Sequence, residues 1–157
     1  MRCYIAITTL SRELIRDAKK YLQDNETCKI GFAVPIILSH MALEMQVSSM
    51  ERFFLRREGF NNDEIEALLH QNVNIANRKK NDLSKARLLF KLVIKEIIPN
   101  EIDLDELNKI NCLRNKAIHR GSNISREEAE KAVDIVEKTL GLLETMFAKL
   151  ARPKKPI

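Results

Sequence analysis

Apolar positions recur along this chain at three- and four-residue spacing, and nowhere alternate with period two. Ile5, Leu10, Leu14, Ile15, Ala18 and Leu22 predict a first helix over 5–23, broken by Asp24-Asn25-Glu26-Thr27. A second helix is expected from near Phe32 to Arg57, through Met41, Leu43, Val47, Met50 and Phe54. Pro35 is tolerable there because it falls in the opening turn, and Gly59 ends the element. This stretch is the most apolar in the chain, so it is expected to be the central core helix. Asn62-Asp63-Glu64 starts a short helix over 65–70. The Asn-rich, basic stretch 71–81 reads as a mobile loop, followed by a long helix over 83–98 that Pro99 and Asn100 close. Asp103 caps the next helix, whose apolar positions are Leu104, Leu107, Ile110, Leu113, Ala117 and Ile118, with Gly121 as a C-cap. Ser125-Arg-Glu-Glu128 is a capping box opening a last helix, with its stripe at Ala129, Ala132, Val133, Val136, Leu140, Leu143, Met146, Phe147 and Leu150. The pattern predicts an all-α antiparallel bundle of about five long helices plus one short one, over residues 1–152. Beyond Pro153, residues 153–157 form a basic tail expected to be disordered.

Composition narrows the class without changing that picture. A chain of 157 residues suits one domain, and only 4 Gly and 4 Pro favour long helices. No apolar run approaches the ~18 residues that span a bilayer, and no signal peptide is read at the start. Three scattered cysteines (Cys3, Cys28, Cys112) without a CxxC pair point to reduced thiols and a cytoplasmic setting, and away from a zinc site. The net charge of +5 is compatible with a nucleic-acid partner. It is partly local, in Arg78, Lys79, Lys80, Lys85, Arg87, Lys91 and Lys95 and in the tail at Arg152, Lys154 and Lys155. A solvated face and a floppy terminus account equally for these clusters. Low aromatic content (5%, no Trp) favours phosphate contacts over base stacking if RNA is bound.

The anomaly lies in the helix before Gly121. On a helical wheel Arg114 falls near the middle of the apolar arc, while Asn108, Asn111, Asn115 and His119 flank it. A guanidinium centred on an apolar stripe is costly unless something pairs with it, which implies a polar partner or a second copy of the helix. In the core helix, His40, Glu44, Ser48 and Glu51 form a polar line. It reads either as a solvent-facing edge or as a source of Glu44 for Arg114 and His119. No Gly-rich phosphate loop, HExxH, G-x-S-x-G or spaced acidic cluster is present, so metal-dependent hydrolysis and nucleoside-triphosphate chemistry find little support.

Arg114-Asn115-x-x-x-His119, with a polar residue directly after the Arg and a C-capping Gly beyond, resembles the R-x(4)-H signature of the HEPN superfamily. That resemblance implies a small all-α fold and, for its catalytic members, a dimeric endoribonuclease that needs no metal or other cofactor. It covers the helical layout of most of the chain, but the motif itself matches only at Arg114, Asn115 and His119. It implies catalytic roles for those three, with Glu44 as a possible support and Lys116 and Arg120 tracking the RNA backbone. The residue types suit that chemistry: an imidazole shuttles protons near neutrality, and a planar guanidinium stabilises a pentacoordinate phosphorus. The implied setting is defence or growth arrest, with an antitoxin or activating protein as a further partner. A Tyr common two residues after the His in one toxin branch is replaced here by Gly121. That departure argues against control by tyrosine modification. The alternatives are a non-catalytic scaffold of the same family and a plain helical interaction module. Five residues separate Arg114 from His119, roughly 140° around a helix. Either two chains meet at this helix, or the helix loosens before Gly121.

Overall fold

The computed structural model describes residues 2–24, 31–70, 101–120 and 124–151. These residues form five helices and no strand: α1 (Arg2–Gln23), α2 (Ala33–Arg57), α3 (Asn62–His70), α4 (Leu104–Arg120) and α5 (Arg126–Leu150). The helix expected over 83–98, the loop before it, Gly121 and the tail lie outside the described residues. So do most of the break after α1 and the mid-chain basic cluster.

The helix ends follow local chemistry. Ser125 accepts from the Glu128 N–H while the Glu128 side chain accepts from the Ser125 N–H, so the capping box is present as expected. Asp103 accepts from the backbone N–H groups of Asp105 (2.9 Å) and Glu106 (3.0 Å), capping α4. The short helix begins at Asn62, three residues before the expected Ile65. Asn61 is its cap, accepting from the Glu64 N–H at 3.0 Å and donating its own N–H to the Glu64 carboxylate at 2.8 Å. Gly59 takes φ of 98°, a left-handed conformation that an L side chain rarely adopts, and turns the chain out of α2.

α2 is the central element, packing against each of the other four helices. Pro35 sits in its first turn and is buried. Met41, expected in the core, is instead exposed, whereas Phe54, Met50 and Ile36 are fully enclosed. The polar line is no solvent-facing edge either, because His40 and Glu51 are buried and Glu44 and Ser48 half-buried. In α1 the buried stripe is Ser11, Ile15, Ala18 and Leu22, and Leu10 lies outside it. Every stripe position expected in α5 is buried except Leu150, which is half-buried.

Long-range pairs set the relative senses. Arg12 donates Nε and Nη2 to the two Glu144 oxygens (2.8 and 2.6 Å), and Lys19 reaches Glu137 at 2.6 Å. Numbers rising on α1 therefore meet numbers falling on α5, an antiparallel pair. The Glu144 carboxylate also raises the Arg12 pKa by hydrogen bonding. α2 runs in the same sense as α5, since their C-terminal ends meet. Phe53 and Phe54 pack on Phe147 with centroids 4.7 and 5.7 Å apart, and Arg57 donates to the Leu150 carbonyl. α3 folds back along the end of α2, held by Arg52 to Glu66 and by Arg56 to Asn62.

Candidate active site on helix α4

α4 docks on α2 and α5 through Leu107 and Ile110, which are 3% and 2% exposed, with Leu113 and Ala117 packed against the same core. Its apolar arc is covered at the N-terminal end and uncovered toward the C-terminus, where Ile118 is 46% exposed. Arg114 stands beside that uncovered stretch and is half-buried.

Among the described residues, the hydrogen-bond partner of Arg114 is its own neighbour. Arg114 Nη1 donates to Asn115 Oδ1 at 3.0 Å. Because a guanidinium has no acceptor, this contact fixes the Asn115 amide with its oxygen toward Arg114 and its NH₂ turned away. Asn115 and His119 are exposed, one turn apart, and Lys116 is exposed beside them. The Arg120 side chain lies outside the described residues.

The helix does not loosen at the motif. α4 is α-helical through Arg120, so Arg114 and His119 project roughly 140° apart within one chain. Arg114 shares the edge of Leu107 and Ile118, while His119 shares the opposite edge with Asn108, Cys112 and Asn115. Asn115 lies between the two, bonded to the first and aligned with the second.

Glu44 Oε2 is 3.4 Å from Nδ1 of His40, one turn back on α2. The ion pairs among the described residues include none from Glu44 to Arg114 or His119. Nor do the described residues contain a group of three or more His, Cys, Asp or Glu side chains placed to hold a metal ion.

A groove of 420 Å³ runs between α4 and α5 on the side away from Arg114. Its floor is Ile110, Leu113, Ala132 and Ile135, and Asn108, Cys112 and Lys116 stand along the α4 rim. Glu106 accepts from Lys109 of its own helix at 2.7 Å and pairs with Lys131 of α5 at 3.2 Å, tying the two helices together. Those two lysines, Lys109 first, hold the Glu106 carboxyl below its ordinary range. The backbone N–H of Ser125, then its hydroxyl, and more weakly Lys116, do the same for Glu128. The Glu106–Lys109 spacing was open to sequence reasoning, but Lys131 and the groove depend on how α4 settles on α5.

No protein-family model, curated protein or solved structure matches this chain. Any functional reading therefore rests on the residues and their placement. None of the described helices is long and apolar enough to cross a membrane.

Proposed function

We propose that this chain is a metal-independent endoribonuclease of the HEPN type, acting as a homodimer in a cytoplasmic defence or toxin-like role. The observation that carries the reading is the unbroken C-terminal half of α4. It presents Arg114 hydrogen-bonded to Asn115 and, one turn on, an exposed His119. In the proposed reaction one His119 removes the proton from a ribose 2′-OH, and that oxygen attacks the adjacent phosphorus. The bond to the 5′-oxygen breaks, and that leaving oxygen takes a proton from water. The products are a 2′,3′-cyclic phosphate and a 5′-OH. Arg114 stabilises the negative charge of the pentacoordinate phosphorus, with Asn115 holding the guanidinium in place. Lys116 and Arg120 contact the RNA backbone.

The dimer is part of the proposal for a geometric reason. Two residues on opposite edges of one helix do not converge on one phosphate, whereas two copies of α4 side by side place one Arg114 edge against the partner's His119 edge. The exposed Ile118 beside Arg114 supports burial of that face against a second copy. The same divergence of Arg114 and His119 also favours the second reading, a non-catalytic scaffold of this family that dimerises or binds RNA. An antitoxin or activating protein remains a partner of either form.

Cleavage separates the two. Structured RNA incubated in EDTA with wild type is expected to yield cyclic-phosphate ends, and His119→Ala, folded by circular dichroism, to lower the rate by at least about a hundredfold. A folded wild-type dimer that leaves RNA intact would favour the scaffold. Undiminished cleavage by His119→Ala would place the chemistry elsewhere.

A further inference from the structure

The groove between α4 and α5 has no role in the motif chemistry, yet it adjoins the edge that carries His119. Asn108, Cys112, Asn115 and His119 fall within an arc of about 60° at roughly 100° per residue, so the groove's α4 rim leads along the helix to the imidazole. Its 420 Å³ falls within the ~300–1,000 Å³ of clefts that take small ligands or single ligand groups. The aliphatic floor, drawn from both helices, suits a flat apolar face. The rim is cationic on balance, with Lys109, Lys116 and Lys131 against Glu106 and Glu128. Glu106 is engaged by two of those lysines, and Glu128 by the N-terminal cap of α5. An apolar floor under a rim of lysines and an amide fits a group with one flat face, polar edges and an attached anion.

Resting on the ribonuclease reading, we infer that this groove is the subsite for one nucleotide of single-stranded RNA next to the scissile phosphate. The base lies on Ile110, Leu113, Ala132 and Ile135, with Asn108 at its edge. The phosphate is held by Lys116, one residue past Asn115. A base lying with its face on that floor is out of its stack and unpaired, so the inferred substrate is a loop or unpaired stretch.

Cys112 supplies the probe, since its thiol is free, exposed and on the rim. The wild-type protein is titrated with a short single-stranded 2′-O-methyl oligonucleotide, which keeps bases and phosphates but has no 2′-OH to attack. Binding is followed by fluorescence anisotropy, and alkylation of Cys112 by N-ethylmaleimide by peptide mass spectrometry. Saturating oligonucleotide is expected to slow Cys112 alkylation about tenfold, and a duplex of the same sequence to leave it unchanged. Lys116→Ala is expected to weaken binding and lower its salt slope by about one. Failure to bind, binding without protection of Cys112, or equal protection by duplex would each overturn the subsite. Protection by a protein that does not cleave RNA would keep the groove and remove the chemistry. Cleavage without protection would do the reverse.

Discussion

Truncating Ile110 to Ala is expected to release α4 before the rest of the fold opens. Among its described side chains α4 contributes two fully buried apolar groups, Leu107 and Ile110, whereas α5 buries Ala129, Val133, Val136, Leu140, Leu143 and more. Ile110→Ala removes three carbons from a site 2% exposed. At ~0.8 kcal/mol for each that is about 2.4 kcal/mol, rising toward ~4 kcal/mol if the cavity does not collapse. If α4 opens locally, its amides should exchange roughly 50-fold faster, because ~1.4 kcal/mol is a factor of ten. Native-state hydrogen exchange read by mass spectrometry resolves this, comparing peptides within 104–120 with peptides within 133–147. The expected result is strong acceleration in α4 and a much smaller one in α5. Equal acceleration in both would mean that α4 opens only with the whole molecule, and no acceleration in α4 would remove Ile110 as an anchor. Ile110→Val, costing ~0.5–1.5 kcal/mol, gives a graded check if the Ala variant folds poorly. Any function that needs Arg114 and His119 held in register depends on this anchoring.

Three further outcomes rest on the same contacts. Ser125→Ala removes the acceptor for the Glu128 N–H and should cost about 1 kcal/mol, lowering Tm by ~2–4 °C in calorimetry. A double-mutant cycle on Arg12 and Glu144 should give a coupling of about 0.5–1 kcal/mol, held low because the two side chains are 40% and 25% exposed. A coupling of zero in urea titrations would show that the pair is ornamental. The third outcome concerns acid. Glu106 and Glu128 have pKa values below the ordinary carboxylate value. They therefore stabilise the fold above the unfolded pKa of ~4.3, and lose that contribution as pH falls through the lower folded values. The Tm difference between wild type and Glu106→Gln should be present at neutral pH and vanish below that window. A difference that persists at low pH would refute the ionic role.

What was legible in the sequence was what is decided within one helical turn. Ser125 with Glu128, and Asp103 ahead of α4, announce themselves because a cap joins a side chain to backbone three residues away. The α5 stripe is equally plain, since each of its apolar residues has a like neighbour one turn off. The misses are tertiary. Leu10 and Met41 have the right chemistry for a core, but nothing within their own helices reveals that no neighbour covers them. His40 and Glu51 look like surface residues until the packing of α2 against four other helices encloses them. Arg12 and Glu144 stand 132 positions apart, and no local pattern connects them.

The motif helix shows both regimes at once. Its amphipathic arc, its cap and the awkward position of Arg114 were readable, because helical periodicity fixes which residues share a face. The response to that awkwardness was not, since a guanidinium turning onto the adjacent amide is a choice of rotamer. Because α4 stays helical through Arg120, the two halves of the motif belong to different surfaces. Arg114 goes with the uncovered arc of Ile118, and His119 with the rim of the α4–α5 groove. A catalytic reading then has a definite geometric demand. Substrate must reach His119 along one edge while a second chain supplies the guanidinium from the other. Mixing Arg114→Ala chains with His119→Ala chains tests that demand directly. If the halves come from different subunits, the mixed dimer rebuilds one complete site and recovers activity that neither variant has alone. If each site is built within one chain, mixing restores nothing.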